Sequence, residues 1–423
     1  SNIATLPLAS FTVTALPGPA ARGWVRVASD RRYFATTDGQ ALRLIGENVC
    51  WPRAGGTFDY EQWFTRMQQS RQNFARLWLA PWWAGLEHTP GTLTNYRLDG
   101  AWQLDRVFDL AEARGLYLLL CLDHHGMYMA TDQAWGGSNN FWPRNPYARE
   151  NGGPCASPNE FFTLPAARKI YQKRLRYLVA RYGASPQLLA WQFFNEIDNS
   201  YIPRSNLVGA DVASWHRAMA RWLRAHDPYG HLITTSLTGG SDRPEIWQLP
   251  EMDFSMYHSY SDPAPGRTVA RLAEDFIQRY HKPVMIGEFG VSASNWARPL
   301  DPHLRGFRQA LWGGALGGSV GTSMSWWWED IHDDRAYALY SALHDVLNRA
   351  GWDQGAWAPL ASSSPGLPPT DLGEPLPDTA PFNASLALNT FRRILLSSDA
   401  AIATPLSAER SSEFLSNFLR GSR

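Results

Sequence analysis

The strongest constraint on this chain is a regular alternation of short apolar segments with longer amphipathic ones. Eight apolar runs of strand length follow one another, and segments of helical length separate them. Most of the runs are nearly continuous in apolar residues, which is typical of parallel strands that are buried on both faces. The runs are Leu42–Cys50, Phe74–Ala80, Tyr117–Asp123, Leu188–Glu196, His231–Leu237, Met252–Tyr260, Pro283–Gly290 and Gly321–Trp328.

The segments between the runs have helical periodicity, and Gly115 and Gly183 stand where helices end. Eight strands that alternate with helices predict an α/β fold of the (β/α)8 TIM-barrel type. A doubly wound open sheet is the alternative, but no GxGxxG or Walker-type loop follows the first run. The predicted helices are Tyr60–Gln72, Ala101–Arg114, Ala166–Tyr182, Asp211–His226, Arg267–Tyr280, His303–Leu316 and Tyr337–Arg349.

Two further segments flank the predicted barrel, which we place at residues 41–352. Residues 1–40 contain Trp24–Val27, Tyr33–Ala35 and the turn Asp38-Gly39, which predict a β-hairpin that plugs the bottom of the barrel. Residues 353–423 begin with a stretch rich in Pro, Ser and Gly, which is typical of a linker or a surface strap.

The charge balance argues against strongly anionic binding partners. Lys and Arg number 39, and so do Asp and Glu, so the net charge is zero. Nucleic acids and anionic membranes bind clustered positive charge, so we expect neither as a partner. No apolar run approaches the ~18 residues of a membrane span. The chain also has 20 Trp, more than core packing ordinarily needs, so a neutral partner that stacks on aromatic rings fits better.

Two glutamates each end a strongly apolar run, at the barrel end where active sites lie. Glu196 follows the fourth run and Glu288 lies in the seventh. Glycoside hydrolysis needs such a pair, because one carboxyl group must give a proton to the leaving oxygen while the other, ionised, attacks the anomeric carbon. We expect Arg76 and the Tyr260 hydroxyl to donate to Glu288 and keep it anionic, and like-charge proximity to raise the pKa of Glu196.

Together, these strand-end residues resemble glycoside hydrolase family 5, a family of barrel enzymes. The resemblance extends from about Trp24 to Trp352 and implies a retaining glycosidase with Glu196 as acid/base and Glu288 as nucleophile. Its other matching positions are Arg76, His125 in Asp123-His124-His125, Asn195, His258, Tyr260 and Trp326, the last as the platform under the reacting sugar. Trp328, Trp51, Glu47 and His124 complete the candidate substrate-contacting residues.

The chain departs from the family pattern where cellulases carry Pro after the acid/base, because Ile197 stands there. The Trp triplet 326–328 leaves the platform residue open between Trp326 and Trp328, which share one strand face. The segment from Phe161 resembles the β-mannanases of the family, whereas the strand-three histidine is closer to its cellulases. The long loop Gly126 to Pro158 predicts an aromatic cleft wall, because it contains Tyr128, Trp135, Trp142 and Tyr147. Further sugar-binding positions are expected at Trp51, Trp78, Trp82 and Trp83.

We therefore expect an endo-acting retaining enzyme that hydrolyses a neutral β-1,4-linked glucan or mannan without a cofactor or a metal. An exo-acting β-mannosidase or β-glucosidase on the same barrel is the nearest alternative, and a non-catalytic glycan-binding barrel is another. A metal-dependent hydrolase would use His124, His125 and Asp123, but no HExxH-type spacing supports it. A monomer is favoured. Secretion is expected from the size of the polymer, although Ser1 to Ala20 lack the pattern of a signal peptide.

Overall fold

The structure is a computed structural model of the 423-residue chain. It describes residues 21–88, 90–130, 139–201, 205–262, 265–296 and 298–352. The chain divides into two units, Ser1–Gln354 and Gly355–Arg423, and every described residue belongs to the first. The predicted Pro-rich extension, residues 353–423, lies outside the described residues.

Seven parallel strands form most of a barrel, in agreement with the predicted fold. The first five hydrogen-bond in chain order, and the last two pair with each other. They are β4 (Gly46–Asn48), β5 (Phe74–Trp78), β6 (Tyr117–His124), β7 (Leu188–Asn195), β8 (Leu232–Thr234), β9 (Ser255–Tyr260) and β10 (Val284–Gly290). Every residue of β6 and β7 is buried, as the continuous apolar runs predicted.

The eighth position of the barrel is filled by residues 320–326, which form isolated bridges and no continuous strand. On one side Met324 N–H donates to Ile286 O, and on the other Thr322 N–H donates to Leu44 O, both at 2.9 Å. The prediction of a strand over Gly321–Trp328 is therefore wrong in its extent, since Trp328 begins a helix. A Cβ on Gly321 would lie 2.0 Å from Leu44 O, so only glycine permits this closure.

Helices surround the barrel, and seven of those in the described residues lie where the sequence predicted them, with ends that differ by a few residues. The helices are α1 (Thr57–Gln69), α2 (Leu98–Arg114), α3 (Pro158–Thr163), α4 (Pro165–Tyr182), α5 (Gly209–His226), α6 (Pro244–Trp247), α7 (Pro265–Tyr280), α8 (Arg305–Leu316), α9 (Trp328–Asp333) and α10 (Ala338–Arg349). Three short helices among them, α3, α6 and α9, were not predicted. Gly115 ends α2 in the left-handed conformation, at φ 69°, whereas Gly183 keeps right-handed helical angles after α4. None of the helices within the described ranges combines the length and hydropathy that a membrane crossing requires.

An antiparallel sheet lies before the barrel and has three strands where the sequence predicted a two-stranded hairpin. Its strands are β1 (Val25–Val27), β2 (Phe34–Thr36) and β3 (Ala41–Leu42). The predicted Asp38-Gly39 turn joins the second strand to the third. Phe34 is fully buried against Phe254, which precedes β9, so the sheet covers the amino-terminal end of the barrel strands.

Glu47 is the glutamate of the first barrel strand, and its side chain is buried between the strand and the surrounding helices. Its carboxyl group faces Tyr340 of α10 and Gln72, and burial raises the pKa of Glu47 to about 8. Between pH 4.5 and 8 the folded chain therefore holds a proton that the unfolded chain releases. The free energy of unfolding must fall as the pH rises through this interval.

We predict that Glu47→Gln removes this dependence. Relative to the variant, the wild-type chain should lose up to about 1.4 kcal/mol of stability per pH unit between pH 4.5 and 8. Urea denaturation at several pH values measures the difference, with the exposed Glu112→Gln as the control. Parallel pH profiles for Glu47→Gln and the wild type would contradict the prediction.

Candidate active site

Two glutamates approach each other at the carboxyl end of the barrel. Glu196 directly follows β7, and Glu288 lies near the end of β10. A carboxylate oxygen of each and the Nδ1 atom of His258, on β9, all lie within 4.8 Å of one another. Strands that are distant in the sequence thus bring two acidic groups to one point, because the ends of all parallel barrel strands meet at one rim.

Arg76, on β5, connects four barrel strands from a fully buried position. Its Nη1 donates to Glu288 Oε1 at 2.7 Å and to Asn48 Oδ1 at 2.9 Å. Its Nη2 donates to Asn195 Oδ1 at 2.6 Å, and its Nε donates to Gln192 Oε1 at 2.8 Å. The planar guanidinium group therefore sets the relative positions of these four side chains.

Two further side chains contact Glu288. The Tyr260 hydroxyl group donates to Glu288 Oε2 at 2.6 Å, and His258 Nδ1 lies 3.3 Å from the same oxygen. Burial raises the pKa of Glu288, and that rise is opposed by His258 when it is protonated, by the charge of Arg76 and by the hydrogen bond from Tyr260. Burial also lowers the pKa of His258 to about 4, so its imidazole ring is neutral at pH 7. The fixed positive charge beside Glu288 therefore belongs to Arg76.

Glu196 has a different environment, although it lies only a few ångströms away. His258 Nδ1 is 2.7 Å from Glu196 Oε1, and Asn199 Nδ2 donates to Oε2 at 3.0 Å. No arginine forms an ion pair with Glu196 among the described residues, and its side chain is 12% exposed. Burial raises the pKa of Glu196 to about 7. The two carboxyl groups are therefore chemically unequal, because only one of them has a guanidinium partner.

Three amide side chains belong to this cluster but were absent from the sequence-based candidates. They are Asn48, Gln192 and Asn199. Asn48 also donates to the carbonyl oxygens of Gly287 and Ser325 at 3.0 Å, so it links the first strand to the closing segment of the barrel. The only sequence signal for these residues is their position at or next to the strand ends.

A group of tryptophan rings borders the cluster on the side of the first and second barrel strands. The ring of Trp51 lies 5.0–5.5 Å from those of its four neighbours, which are Trp78, Trp82, Trp326 and Trp328. Trp328 and Trp78 are buried, Trp51 and Trp326 are partly exposed, and Trp82 is 47% exposed. We call Trp51, Trp82 and Trp326 the tryptophan surface.

The two predicted histidines, His124 and His125, have different surroundings. His124 stacks on Trp78 at 5.6 Å, behind the tryptophan surface, whereas His125 lies close enough to Glu196 to influence its pKa. Asp123 faces the helix layer, where Arg174 and Tyr171 of α4 donate to it. The structure therefore does not assemble the proposed metal site of His124, His125 and Asp123.

Glu47 is also not brought to the cluster, which corrects the expectation that it contacts the ligand. Adjacent strand residues point to opposite faces, so Asn48 enters the barrel and Glu47 points to the helices. The carboxyl and imidazole atoms of Glu196, Glu288 and His258 could in principle hold a cation. However, a cation there would face the guanidinium group of Arg76, which already neutralises Glu288.

The described part of the long loop after β6 does not place its predicted aromatic residues in a cleft wall. Tyr128, Trp142 and Tyr147 are buried, and the first of them packs on Phe161 of α3. Trp83, also expected near the ligand, is buried against Tyr60. Trp135 lies outside the described residues. The apolar side chains of α3 explain the difference, because they give the loop a core of its own.

Comparisons with known proteins agree with the fold. The family model for cellulase (glycosyl hydrolase family 5) matches residues 35–327. A mannan endo-1,4-beta-mannosidase F of Aspergillus clavatus is 24% identical over 298 residues, which are 60% of this chain and 62% of the relative. A mannan endo-1,4-beta-mannosidase 4 of Solanum lycopersicum is 25% identical over 63% of this chain and 73% of its own. The match thus spans less than two thirds of the fungal relative.

Solved structures of low sequence identity share the architecture. An endo-1,4-beta-mannanase from Rhizomucor miehei has a TM-score of 0.57 at 15% identity and covers 77% of this chain and 100% of its own. An exo-beta-1,4-mannosidase from an Opitutaceae bacterium has a TM-score of 0.52 at 21% identity and covers 71% of this chain and 55% of its own. These similarities confirm the predicted α/β barrel.

The buried pair of Arg76 and Glu288 generates a prediction about stability. Arg76→Met leaves the Glu288 carboxylate buried without its partner, and it should lower the free energy of unfolding by about 3–5 kcal/mol. The double variant with Glu288→Gln should lose less than the sum of the two single variants. Urea denaturation measures all three.

The control is Arg181→Met, which breaks the half-exposed pair of Arg181 and Asp105. It should cost about 1 kcal/mol or less. Equal losses for Arg76→Met and Arg181→Met would show that the buried network does not stabilise the barrel.

Proposed function

This chain belongs to glycosyl hydrolase family 5, and from that premise we propose that it cleaves internal β-1,4 linkages of a mannan by a retaining double displacement. The observation that carries the proposal is the pair of Glu196 and Glu288, with carboxylate oxygens within 4.8 Å. Retaining glycosidases hold their carboxyl groups about 5–5.5 Å apart, whereas inverting enzymes need about 6.5–9.5 Å to admit a water molecule.

In the first proposed step, Glu288 attacks the anomeric carbon and the bond to the leaving oxygen breaks. Arg76 and Tyr260 donate to Glu288 and favour its ionised form. Glu196 transfers its proton to the leaving oxygen, and its pKa of about 7 leaves about half of it protonated at pH 7 and most of it protonated in acidic solution. The products of this step are a glycosyl ester on Glu288 and a released saccharide, whose former glycosidic oxygen is now a hydroxyl group.

In the second proposed step, Glu196 acts as a base. Esterification removes the negative charge of Glu288, so the like-charge repulsion that disfavours an ionised Glu196 disappears. Glu196 then takes a proton from water as that water attacks the anomeric carbon, and Glu288 leaves as a carboxylate. Both catalytic groups are side chains, so these steps need neither a metal nor a cofactor.

The remaining candidate residues bind the sugar or position the two acids. Asn195 Oδ1 accepts from Arg76 and from Ser236, so its amide N–H groups remain to donate to a sugar hydroxyl. Trp326 is the platform for the reacting sugar, because it is the partly exposed member of the pair Trp326 and Trp328. His258 and His125 position Glu196, and His124 supports the tryptophan surface.

The choice of mannan over glucan rests on the relatives, since several of them carry the name mannan endo-1,4-beta-mannosidase. A polymeric substrate also implies action outside the cell. The endo mode is proposed on the same basis. If the enzyme instead releases single mannose units from one chain end of a defined oligosaccharide, the exo-acting alternative replaces it.

The catalytic roles predict the behaviour of two variants. Glu288→Gln should lower kcat on mannan by at least about a thousandfold, because nucleophile and charge are both lost. Glu196→Gln should retain turnover of a dinitrophenyl β-mannoside, whose leaving group needs no acid, but not of mannan. Reducing-sugar release from mannan, glucomannan, carboxymethylcellulose, lichenan and xylan, together with dinitrophenolate release from the mannoside, tests both variants, with Glu112→Gln as control. Unchanged mannan turnover by Glu288→Gln would refute the mechanism.

The tryptophan surface predicts how activity depends on chain length. Trp82 is exposed, and its ring lies 5.1 Å from that of Trp51, so we expect it to stack on a sugar remote from the cleaved bond. Trp82→Ala should lower kcat/KM about three- to tenfold on long mannooligosaccharides, and should leave an aryl mannoside unaffected. Trp102→Ala on α2, where the ring is 57% exposed, is the control. An equal effect on every substrate would exclude a remote sugar contact.

A further inference from the structure

The turn that follows Glu196 is where this chain departs from the cellulase pattern, since Ile197 replaces the usual proline. Glu196 has φ 47° and ψ 46°, the left-handed region that non-glycine residues seldom adopt. Residues Ile197–Ser200 then form a 3-10 turn, and Ile197 is fully buried. Such a conformation persists only where surrounding contacts hold it.

Two residues of the turn attach it to the neighbouring loops. Asp198 accepts from the Thr238 backbone N–H at 3.0 Å and from the Thr238 hydroxyl group at 2.5 Å. The Ser200 hydroxyl group donates to the His125 carbonyl oxygen at 2.8 Å. The turn is therefore fixed between the loops that follow β6 and β8.

Asn199 is the member of the turn that reaches back to the glutamate. It is buried, and its Nδ2 donates to Glu196 Oε2 at 3.0 Å, while His258 lies at the other oxygen. An amide N–H2 group can only donate, so it fixes the rotation of the carboxyl group and occupies one lone pair of Oε2. The acidic proton of Glu196 must then occupy a lone pair that Asn199 does not use.

We propose that Asn199 is a positioning residue, which holds the carboxyl group of Glu196 in the orientation that transfers its proton to the leaving oxygen. This inference rests on the proposed function of Glu196. The hydrogen bond also favours the ionised form of Glu196, so it offsets part of the effect of burial. The other titratable and charged groups that face Glu196 are His258 on β9, Glu288 on β10, Arg76 on β5, His125 after β6 and Asp198 of the turn.

Two substitutions at this position and one beside it give a directional test. Asn199→Ala removes the donor, so the pKa of Glu196 should rise. The alkaline limb of the pH profile of kcat/KM on mannan should therefore lie about half to one pH unit higher, and kcat should fall about tenfold. Asn199→Asp places a negative charge at the same atoms, so the limb should move further in the same direction. Asp198→Asn removes a charge that raises the pKa of Glu196, so the limb should move down.

The opposite shifts separate positioning from simple damage to the turn, which would lower activity in all three variants without ordering their pH profiles. The inference would be overturned if neither Asn199 variant shifted the alkaline limb, or if Asp198→Asn shifted it upward as well. Glu196→Ala on mannan and on the dinitrophenyl mannoside keeps the two hypotheses distinct. If this variant keeps the wild-type turnover of mannan, the role of Glu196 itself is wrong. Loss of mannan turnover with retained turnover of the dinitrophenyl mannoside, together with unshifted Asn199 variants, refutes only the role of Asn199.

Discussion

The guanidinium group of Arg76 is the interaction on which the arrangement of this barrel rim depends. A buried arginine is stable only where its N–H groups find acceptors, and here four acceptor side chains from β4, β7 and β10 surround the guanidinium group of β5. Because those acceptors come from different strands, the same bonds that satisfy the charge also fix the distances across the rim. Arg76 thereby holds Glu288 and Asn195, which is the residue before Glu196, so it contributes to the spacing of the two glutamates.

The same cation makes the two carboxyl groups unequal. Glu288 has Arg76 and Tyr260 as donors, whereas Glu196 has an amide and a neutral imidazole as neighbours. One residue is therefore suited to remain ionised and the other to carry a proton near neutral pH. The proposed reaction needs that difference in its first half and its reversal in the second, and the loss of charge on Glu288 favours the reversal.

Most of the barrel could be predicted from the sequence, because continuous apolar runs separated by amphipathic segments have few other solutions. The charged residues of the site were predictable too, since Arg76, Glu196 and Glu288 are costly to bury and stand at strand ends. Strand register was not predictable. The choice of Glu47 over Asn48 was wrong because neighbouring strand residues differ only in the face that they present. Asn199 lacks a charge to mark it, and the loop tyrosines Tyr128 and Tyr147 are buried by a local core that periodicity does not reveal.

The central claim is that Glu288 attacks the sugar directly, while Glu196 donates a proton in the first step and accepts one in the second. Nuclear magnetic resonance of the first product released from a β-mannooligosaccharide tests this claim most directly, because it records the anomeric configuration before the sugar equilibrates in water. Two successive displacements predict that the new reducing end appears first as the β anomer. Initial appearance of the α anomer would mean that water attacks in a single step, and it would contradict the account.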